Sequence, residues 1–449
     1  MGLTSLIITL AVCVAITVFA IKKPMVTVGF LKFNKKPLKL ESYYLIALLA
    51  PVLLLIVGAV SPLDIFEGIT AQRAVNPLKI LALFLSMCFI SVCLDKAGFF
   101  EYCAAKALKN VSKGMTALFT YFYFFIAVLT VFTSNDIIIL AFTPFICYFC
   151  RSAKISPLPF IAAEFAAANT FSIMLVIGNP TNIYIAAYLD IAFFEYLKVM
   201  ALPALCAGLA AYAALRVIFA KTLKAPIALP EQALIIRLKD KSAAILSAAA
   251  LALCIVLMSI SGFWNVEMWI ISLCSAAALA LALTALKLLR GKDGRSGGVL
   301  IPSVKGLPYG VIPFLLSMFA AVLALEKHGV TAHIAALLPK GDSAAAVFGY
   351  GFISAAAANI LNNIPMSVLF ASVVSGAGGA ASAAYASIIG SNLGALISPS
   401  GALAGIMLLN LLKDKDTGFD AAAFIKYLAP AAVVSLAAAL AALTLTLGV

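Results

Sequence analysis

The stretch from Thr133 to Asn182 restricts this chain most. It reads T-S-N-D at Thr133–Asp136 and runs apolar to Cys150. It then gives A-N-T-F-S at Ala168–Ser172 and I-G-N-P-T-N at Ile177–Asn182. Amides, hydroxyls, Gly and Pro here interrupt hydrophobic sequence. Hydrocarbon tolerates irregular backbone only where protein or a water-filled cavity surrounds it, and polar groups at that depth are functional candidates. Two interruptions in tandem predict a re-entrant hairpin followed by a broken helix, which is how many secondary transporters build a site near the bilayer midplane.

The bilayer itself is read from composition. Of 449 residues, 64% are hydrophobic and 11% charged, where a soluble domain has about 45–50% and about 25%. The expected class is an all-α polytopic membrane protein. A spanning helix needs about 20 apolar residues. The qualifying runs are 2–21, 43–60, 77–94, 158–189 (broken), 199–219, 242–260, 264–286, 307–326, 380–412 (broken) and 424–447. Runs 115–150 and 343–375 are too long for one span and have polar or Pro-containing middles, so each reads as a helix that enters, turns and leaves on the same side. That makes ten spans and two hairpins. The first run resembles a signal peptide, but its basic residues follow it, so it reads as a retained helix with its N-terminus outside.

Charge distribution orients the chain. With the segment after the first helix in the cytoplasm, the inside segments hold 26 of the 31 Lys and Arg, and only Arg73, Lys79, Lys198, Lys327 and Lys340 fall outside. This is the positive-inside bias. The net charge of +13 is therefore a topology signal and calls for no nucleic-acid partner. Both termini come out outside, in a bacterial-type cytoplasmic (inner) membrane. Two acids remain within the membrane, Asp136 and Glu164.

An internal repeat sets the domain organisation. Leu85-Ser86-Met87 and Leu94-Asp95-Lys96-Ala97-Gly98 recur 231 residues later as Leu316-Ser317-Met318 and Leu325-Glu326-Lys327-His328-Gly329. Each copy is followed by an amphipathic stretch (Phe99–Asn110; Val330–Leu338), a hairpin and a broken helix. Five spans per half is an odd number, so the copies are expected upside down relative to each other. The expected division is a first inverted repeat at 1–219 (hairpin 115–150, broken helix 158–189), a cytoplasmic linker at 220–241 and a second repeat at 242–449 (hairpin 343–375, broken helix 380–412). The basic segments Lys22–Lys39 and Lys287–Lys305 read as cytoplasmic loops, the first resting on headgroups.

Helix ends meeting at midplane would offer free N–H groups to anions and unwound carbonyls to cations. Ser134, Asn135, Asn362 and Asn363 supply polar side chains at the two hairpin tips. Asn179, Thr181, Asn182, Ser398 and Ser400 do so at the two helix breaks. The plainer reading is that these residues only cap broken helices. Asp136 is placed to hold a coupling cation or carry a proton, or to cap the returning arm. Glu164, on a face with Ala168 and Ser172, is a second proton-coupling candidate or snorkels to the interface. The nine cysteines read as small core hydrophobes, although Cys147 and Cys150 have the spacing of a thiol pair that could meet a soft metalloid. His328 and His333, without thiolate partners, make a poor metal site. No Walker-type G-x-x-x-x-G-K-[ST] occurs, so no cofactor or ATP use by this chain is expected.

The ordered set T-S-N-D-x7-P (Thr133–Pro144), A-N-x-x-S (Ala168–Ser172), G-N-P-T-N (Gly178–Asn182), N-N-x-P (Asn362–Pro365) and N-L-G-x4-P-S-G-A-L-A (Asn392–Ala404) resembles the ion transporter superfamily. That group holds arsenite efflux permeases (ArsB), NhaD-type sodium/proton antiporters, citrate transporters and sodium–dicarboxylate symporters. The resemblance covers nearly the whole chain. It implies an inverted-repeat fold, a scaffold with a mobile transport domain, an elevator-like mechanism and a homodimer. Dicarboxylate symporters carry Ser-Asn-Thr at both tips. Here the tips are Ser134-Asn135-Asp136 and Asn362-Asn363-Ile364-Pro365, which look more like the arsenite-permease branch, as does P-S-G-A-L-A. That similarity places Asn135, Asp136, Asn179, Asn182, Asn363 and Ser400 around substrate and coupling ion, with Asn169, Gly178, Asn392 and Gly401 in the same motifs. It also leaves room for an external ATPase subunit. Val176 departs from the Pro that relatives often have before the G-N-P turn.

The expected function is a sodium- or proton-coupled transporter, not an enzyme, for a small oxyanion, metalloid hydroxide or carboxylate. A sodium/proton antiporter of the same fold and a non-transporting membrane receptor or scaffold are the alternatives.

Overall fold

Sequence capping sets where the membrane helices begin. Asn76 accepts from Leu78 N at 2.9 Å, with Pro77 as the first helical residue. Asp240, Ser343 and Asp420 accept from the backbone N–H three residues on. Each places a polar cap where an apolar run starts, satisfying an otherwise free donor. The computed structural model describes all residues except 34–35, 71–75, 109–113, 225–237, 265, 291–297, 414 and 416.

The first half opens with α1 (Gly2–Lys22), a two-stranded antiparallel hairpin of β1 (Met25–Phe33) and β2 (Lys36–Glu41), and α2 (Ser42–Ala47) with α3 (Leu49–Ile56). It continues through α4 (Pro62–Thr70), α5 (Pro77–Lys96), α6 (Phe99–Leu108), α7 (Met115–Phe132), α8 (Asn135–Ser152), α9 (Leu158–Phe171), α10 (Pro180–Tyr188) and α11 (Phe193–Ile218). The second half holds α12 (Lys241–Ser259), α13 (Ser261–Trp264), α14 (Met268–Leu289), α15 (Leu300–Lys305), α16 (Val311–Lys327) and α17 (Val330–Leu337). It ends with α18 (Ala344–Leu361), α19 (Asn363–Gly376), α20 (Ala381–Gly394), α21 (Leu403–Leu412) and α22 (Ala421–Leu447). Of the expected linker 220–241, residues 225–237 lie outside the described residues; of the expected loop 287–305, residues 291–297 do, and the rest includes the end of α14 and all of α15.

Among the described residues, eight helices are long and apolar enough to cross a membrane, or nine if α16 and α17, bent by 76° at Gly329, count as one span. The expectation of ten spans differs because length alone does not sort these helices. Two of the eight, α7 and α18, are hairpin arms. The runs 43–60, 158–189 and 380–412 are each split into shorter pieces, and α16 by itself has only 17 residues. The segment Lys22–Lys39, expected as a loop, instead carries most of the β1–β2 hairpin.

The paired hairpin arms follow from their aromatic contacts. The Phe125 and Phe142 rings lie 5.7 Å apart and those of Phe122 and Phe149 also 5.7 Å apart, so α7 and α8 run back antiparallel from a turn at Thr133–Ser134. Asn362, with φ +76, turns α18 into α19. The two helix breaks have the same backbone. Leu175 and Ser398 are extended, Val176–Gly178 and Pro399–Gly401 are 3₁₀ turns, and Asn179 and Ala402 are extended again before α10 and α21 begin. Leu175 and Ser398 lie 223 positions apart. Gly98 and Gly329, at φ +78 and +73, end α5 and α16 in the left-handed conformation. This conformation costs glycine least.

The broken helices pass each other in opposite directions. Phe165, midway along α9, meets Phe424, which follows α21, while Tyr385 near the start of α20 meets Tyr196, which follows α10. Ion pairs gather at two opposite ends. Lys239–Glu101 and Arg290–Asp240 lie on the face carrying β1–β2, and Lys79–Glu267 and Lys327–Asp64 on the other. The core between them is nearly all apolar, apart from the polar groups around the tips and breaks.

Candidate functional site

The hairpin tips carry backbone turns that no lipid could solvate, so their polar groups depend on one another. At the first tip, Asn135 Nδ2 donates to Asn169 Oδ1 at 3.2 Å, and Asn169 Nδ2 donates to the Phe165 carbonyl at 2.9 Å. Ser134 is the N-cap of α8 but makes no side-chain cap bond. At the second tip, Asn362 Nδ2 donates to the Ser400 carbonyl at 3.1 Å. Left over are Ser134 Oγ and the Oδ1 atoms of Asn135, Asn362 and Asn363, all buried and without a hydrogen-bond partner among the described residues. Buried orphan acceptors cost stability. Four of them at two matched turns have lone pairs free to accept from a cation or a donor.

The first helix break is tied differently. Asn179 Oδ1 caps Thr181 N at 3.2 Å, and Asn179 Nδ2 donates to Asn392 Oδ1 at 2.8 Å. Asn392 Nδ2 donates to Asn182 Oδ1 at 2.7 Å and to the Ile388 carbonyl at 2.9 Å. Asn182 Nδ2 donates to the Ser172 carbonyl at 2.8 Å. Asn392 belongs to the second half, so these amides bind the halves together. Their polar atoms are occupied within the protein. Gly178 and Gly401 have packing roles. A Cβ on Gly178 would strike the Ser172 carbonyl, and one on Gly401 would lie 2.9 Å from both Gly394 O and Ala395 Cα.

At the same 223-residue offset, Asn179 corresponds to Ala402, Asn182 to Gly405 and Asn392 to Asn169. The second break therefore lacks the amides that close the first. Ser398 Oγ donates to Asn359 Oδ1 at 2.5 Å and lies 2.7 Å from Ser400 Oγ, while α21 starts with no side-chain cap. Its opening residue Leu403 borders a cavity of about 490 Å³ that also takes in Asp136, at the second residue of α8. Glu41, Asp95, Lys96, Tyr43, Tyr44 and Tyr309 line the same space toward the β1–β2 face. Two uncapped helix starts, each a weak anion site by its free N–H groups, thus share one cavity with three carboxylates. Asp136 is half-buried in the first turn of α8 and does not cap it; the cap position is Ser134.

Glu164 does not reach an interface. It is fully buried, accepts from Thr143 Oγ1 at 3.0 Å, and leaves Oε1 without a partner. Cys147 borders a separate cavity of about 610 Å³ with Arg151 and Lys415, while Cys150 is buried, so the thiols do not face one space. His328 Nε2 contacts the Ala59 carbonyl and His333 Nδ1 the Gly329 carbonyl.

The structure thus gathers Ser134, Asn135, Asp136 and Asn169 at one tip, and Asn362, Asn363, Ser398 and Ser400 at the other. It assigns Asn179, Thr181, Asn182 and Asn392 to an internal network. Sequence reading missed Asn359, Glu41 and Tyr43. Asn359 opens the N-I-L-N-N-I-P run and could have been taken with it. Nothing local marks Glu41, which ends a strand in a basic segment.

Residues 42–390 match the citrate transporter family, CitMHS. The chain is similar to the arsenical pump membrane protein of Escherichia coli K12, at 29% identity over 82% of this chain and 86% of that one. Its fold is similar to that of the YdaH transporter of Alcanivorax borkumensis, at TM-score 0.54 and 13% identity, covering 100% of this chain and 98% of that one. It is also similar to that of the Neisseria gonorrhoeae efflux pump MtrF, at TM-score 0.55 and 13% identity, covering 98% and 94%. With these relatives, the apolar helices and the paired tips, the chain is an integral membrane transporter for a small ion or molecule, and it belongs to the citrate transporter family.

Proposed function

We propose that this chain is an ion-coupled secondary transporter that moves a small oxyanion, metalloid hydroxide or carboxylate by an elevator-type motion. The observation that carries the reading is the pairing of orphan acceptor oxygens at both tips with two uncapped helix starts on the Asp136 cavity. Acceptor oxygens suit sodium, and N–H-rich helix starts suit an oxyanion. In this reading Asp136 couples and Asn135, Asn363 and Ser400 bind. Residues 1–219 and 242–449 are inverted repeats joined by 220–241, the β1–β2 face is cytoplasmic, and the cavity opens inward. The similarity to proteins named arsenical pump membrane protein favours arsenite among the substrates. A homodimer and an external ATPase subunit belong to the same reading.

Replacing Asp136 with Asn keeps its size and removes its charge. Ion-gradient-driven flux in proteoliposomes is expected to fall to background while membrane insertion is unchanged. Undiminished flux removes Asp136 from the mechanism. The carboxylates Glu41, Asp95 and Asp136 on one cavity favour a second reading, a sodium/proton antiporter. Dye-reported proton movement on adding sodium, with no other solute, separates the two.

A further inference from the structure

Two sets of three equivalent elements come together, each taking two elements from one half and one from the other. In the first set, the end of α5, the start of α8 and α21 surround the 490 Å³ cavity, with Asp95 on its wall. In the second set, the end of α16 packs on α19 and α19 on α10. Glu326 occupies the position of Asp95 in the repeat, three residues before the glycine that ends the same L-x-x-x-G pattern. Its surroundings differ. Glu326 Oε1 accepts from Ser372 Oγ on α19 and from Tyr188 OH on α10 at 3.4 Å. Among the described residues Asp95 makes no such bridge; it pairs with its neighbour Lys96, at 2.9 Å. One set is open and its acid is paired locally, while the other is tied shut through its acid.

We propose that Glu326 is a positioning residue that latches the face opposite β1–β2, joining the second hairpin and the tail of the first broken helix to α16. Asp95 is its counterpart, positioned to make the same kind of bridge to α8 and α21 when the other face closes. The two carboxylates then alternate, and the latch stabilises the conformation that opens the Asp136 cavity. A ligand or side chain shifts such an equilibrium only by interacting differently with its two states, and Glu326 does so through its hydroxyl partners. The inference rests on the alternating-access reading above, but its test needs no substrate.

Met407 on α21 is partly exposed and borders the Asp136 cavity, so a thiol placed there by Met407→Cys reports whether that cavity is open. The full chain carrying Met407→Cys, purified and reconstituted, is treated with a small maleimide, and modification at position 407 is followed by peptide mass spectrometry. Glu326→Ala in this background is expected to slow that modification about tenfold, the effect of losing its two hydroxyl hydrogen bonds. Ser372→Ala and Tyr188→Phe, which remove one hydroxyl each, slow it by smaller factors in the same direction. Asp95→Ala leaves it unchanged or speeds it. A wild-type rate in Glu326→Ala and Ser372→Ala, or equal slowing by Asp95→Ala, overturns the latch. Loss of flux in Asp136→Asn has no bearing on this readout, so the two readings fail separately.

Discussion

Replacing Asn392 with Ala removes the centre of the network at the first helix break. Two short bonds between the halves vanish, from Asn179 at 2.8 Å and to Asn182 at 2.7 Å. Interhelical hydrogen bonds in membrane proteins contribute about 0.6 to 1.7 kcal/mol each. The loss also leaves the Asn179 amide buried and unpaired and the Asn182 carbonyl with only the long 3.5 Å bond from Thr181 Oγ1, at about 1–3 kcal/mol per group. Allowing for partial relaxation, the expected destabilisation is about 2–6 kcal/mol. The buried thiols Cys13, Cys93, Cys150 and Cys254 are native reporters of unfolding, read by a thiol-reactive dye while the detergent-solubilised protein is heated. Asn363→Ala is the control, because its Oδ1 has no partner to lose. Asn392→Ala should unfold several degrees lower, at about 2–4 °C per kcal/mol for a mid-sized domain, and Asn363→Ala close to wild type with impaired flux. If Asn392→Ala unfolds with Asn363→Ala, the network does not hold the halves together.

Gly390→Ala puts a Cβ against Ser354 Oγ and the Gly351 carbonyl in α18, with Ala355 N only 2.9 Å away. Backbone cannot yield as a side chain can, so the variant should lose at least the roughly 1–3 kcal/mol of an overpacked core, read as a lower unfolding temperature. The Lys327 ammonium, with the Ser61 backbone N–H, holds the Asp64 carboxyl at about 2, below its ordinary 3.8. The folded value is the lower one, so the pair's contribution is complete above about pH 4 and is lost as pH falls through about 2. In Lys327→Gln the Asp64 titration, followed by ¹³C NMR of the labelled carboxyl, should move up toward 3.8; an unmoved titration refutes the pairing.

Element boundaries were legible wherever apolar length met a polar or glycine stop. The spans at 77–94, 242–260 and 424–447 became α5, α12 and α22 with their caps at Asn76, Asp240 and Asp420. The polar interruptions also marked real backbone turns, because unpaired peptide groups need company at that depth. Legibility stopped at the direction of side chains. Asn179 and Asn135 look alike in sequence, yet one is bound across the halves and the other keeps a free oxygen, because the partner of each comes from a helix tens or hundreds of residues away. The strands at 25–41 were missed for a related reason: their pairing is set by the partner strand, and alternation there is blurred by lysines.

The mismatch between Asn179 and Ala402, and between Asn182 and Gly405, has a consequence for how such a chain can diverge. The two turns share a backbone path but not their partners. The amide-bearing turn acts as a keystone between the halves through Asn392. The turn built from small residues is tied only within its own half, through Asn359 and Asn362 among the described residues, so the side chains of Ser398 and Ser400 can be exchanged without loosening the joint between the halves.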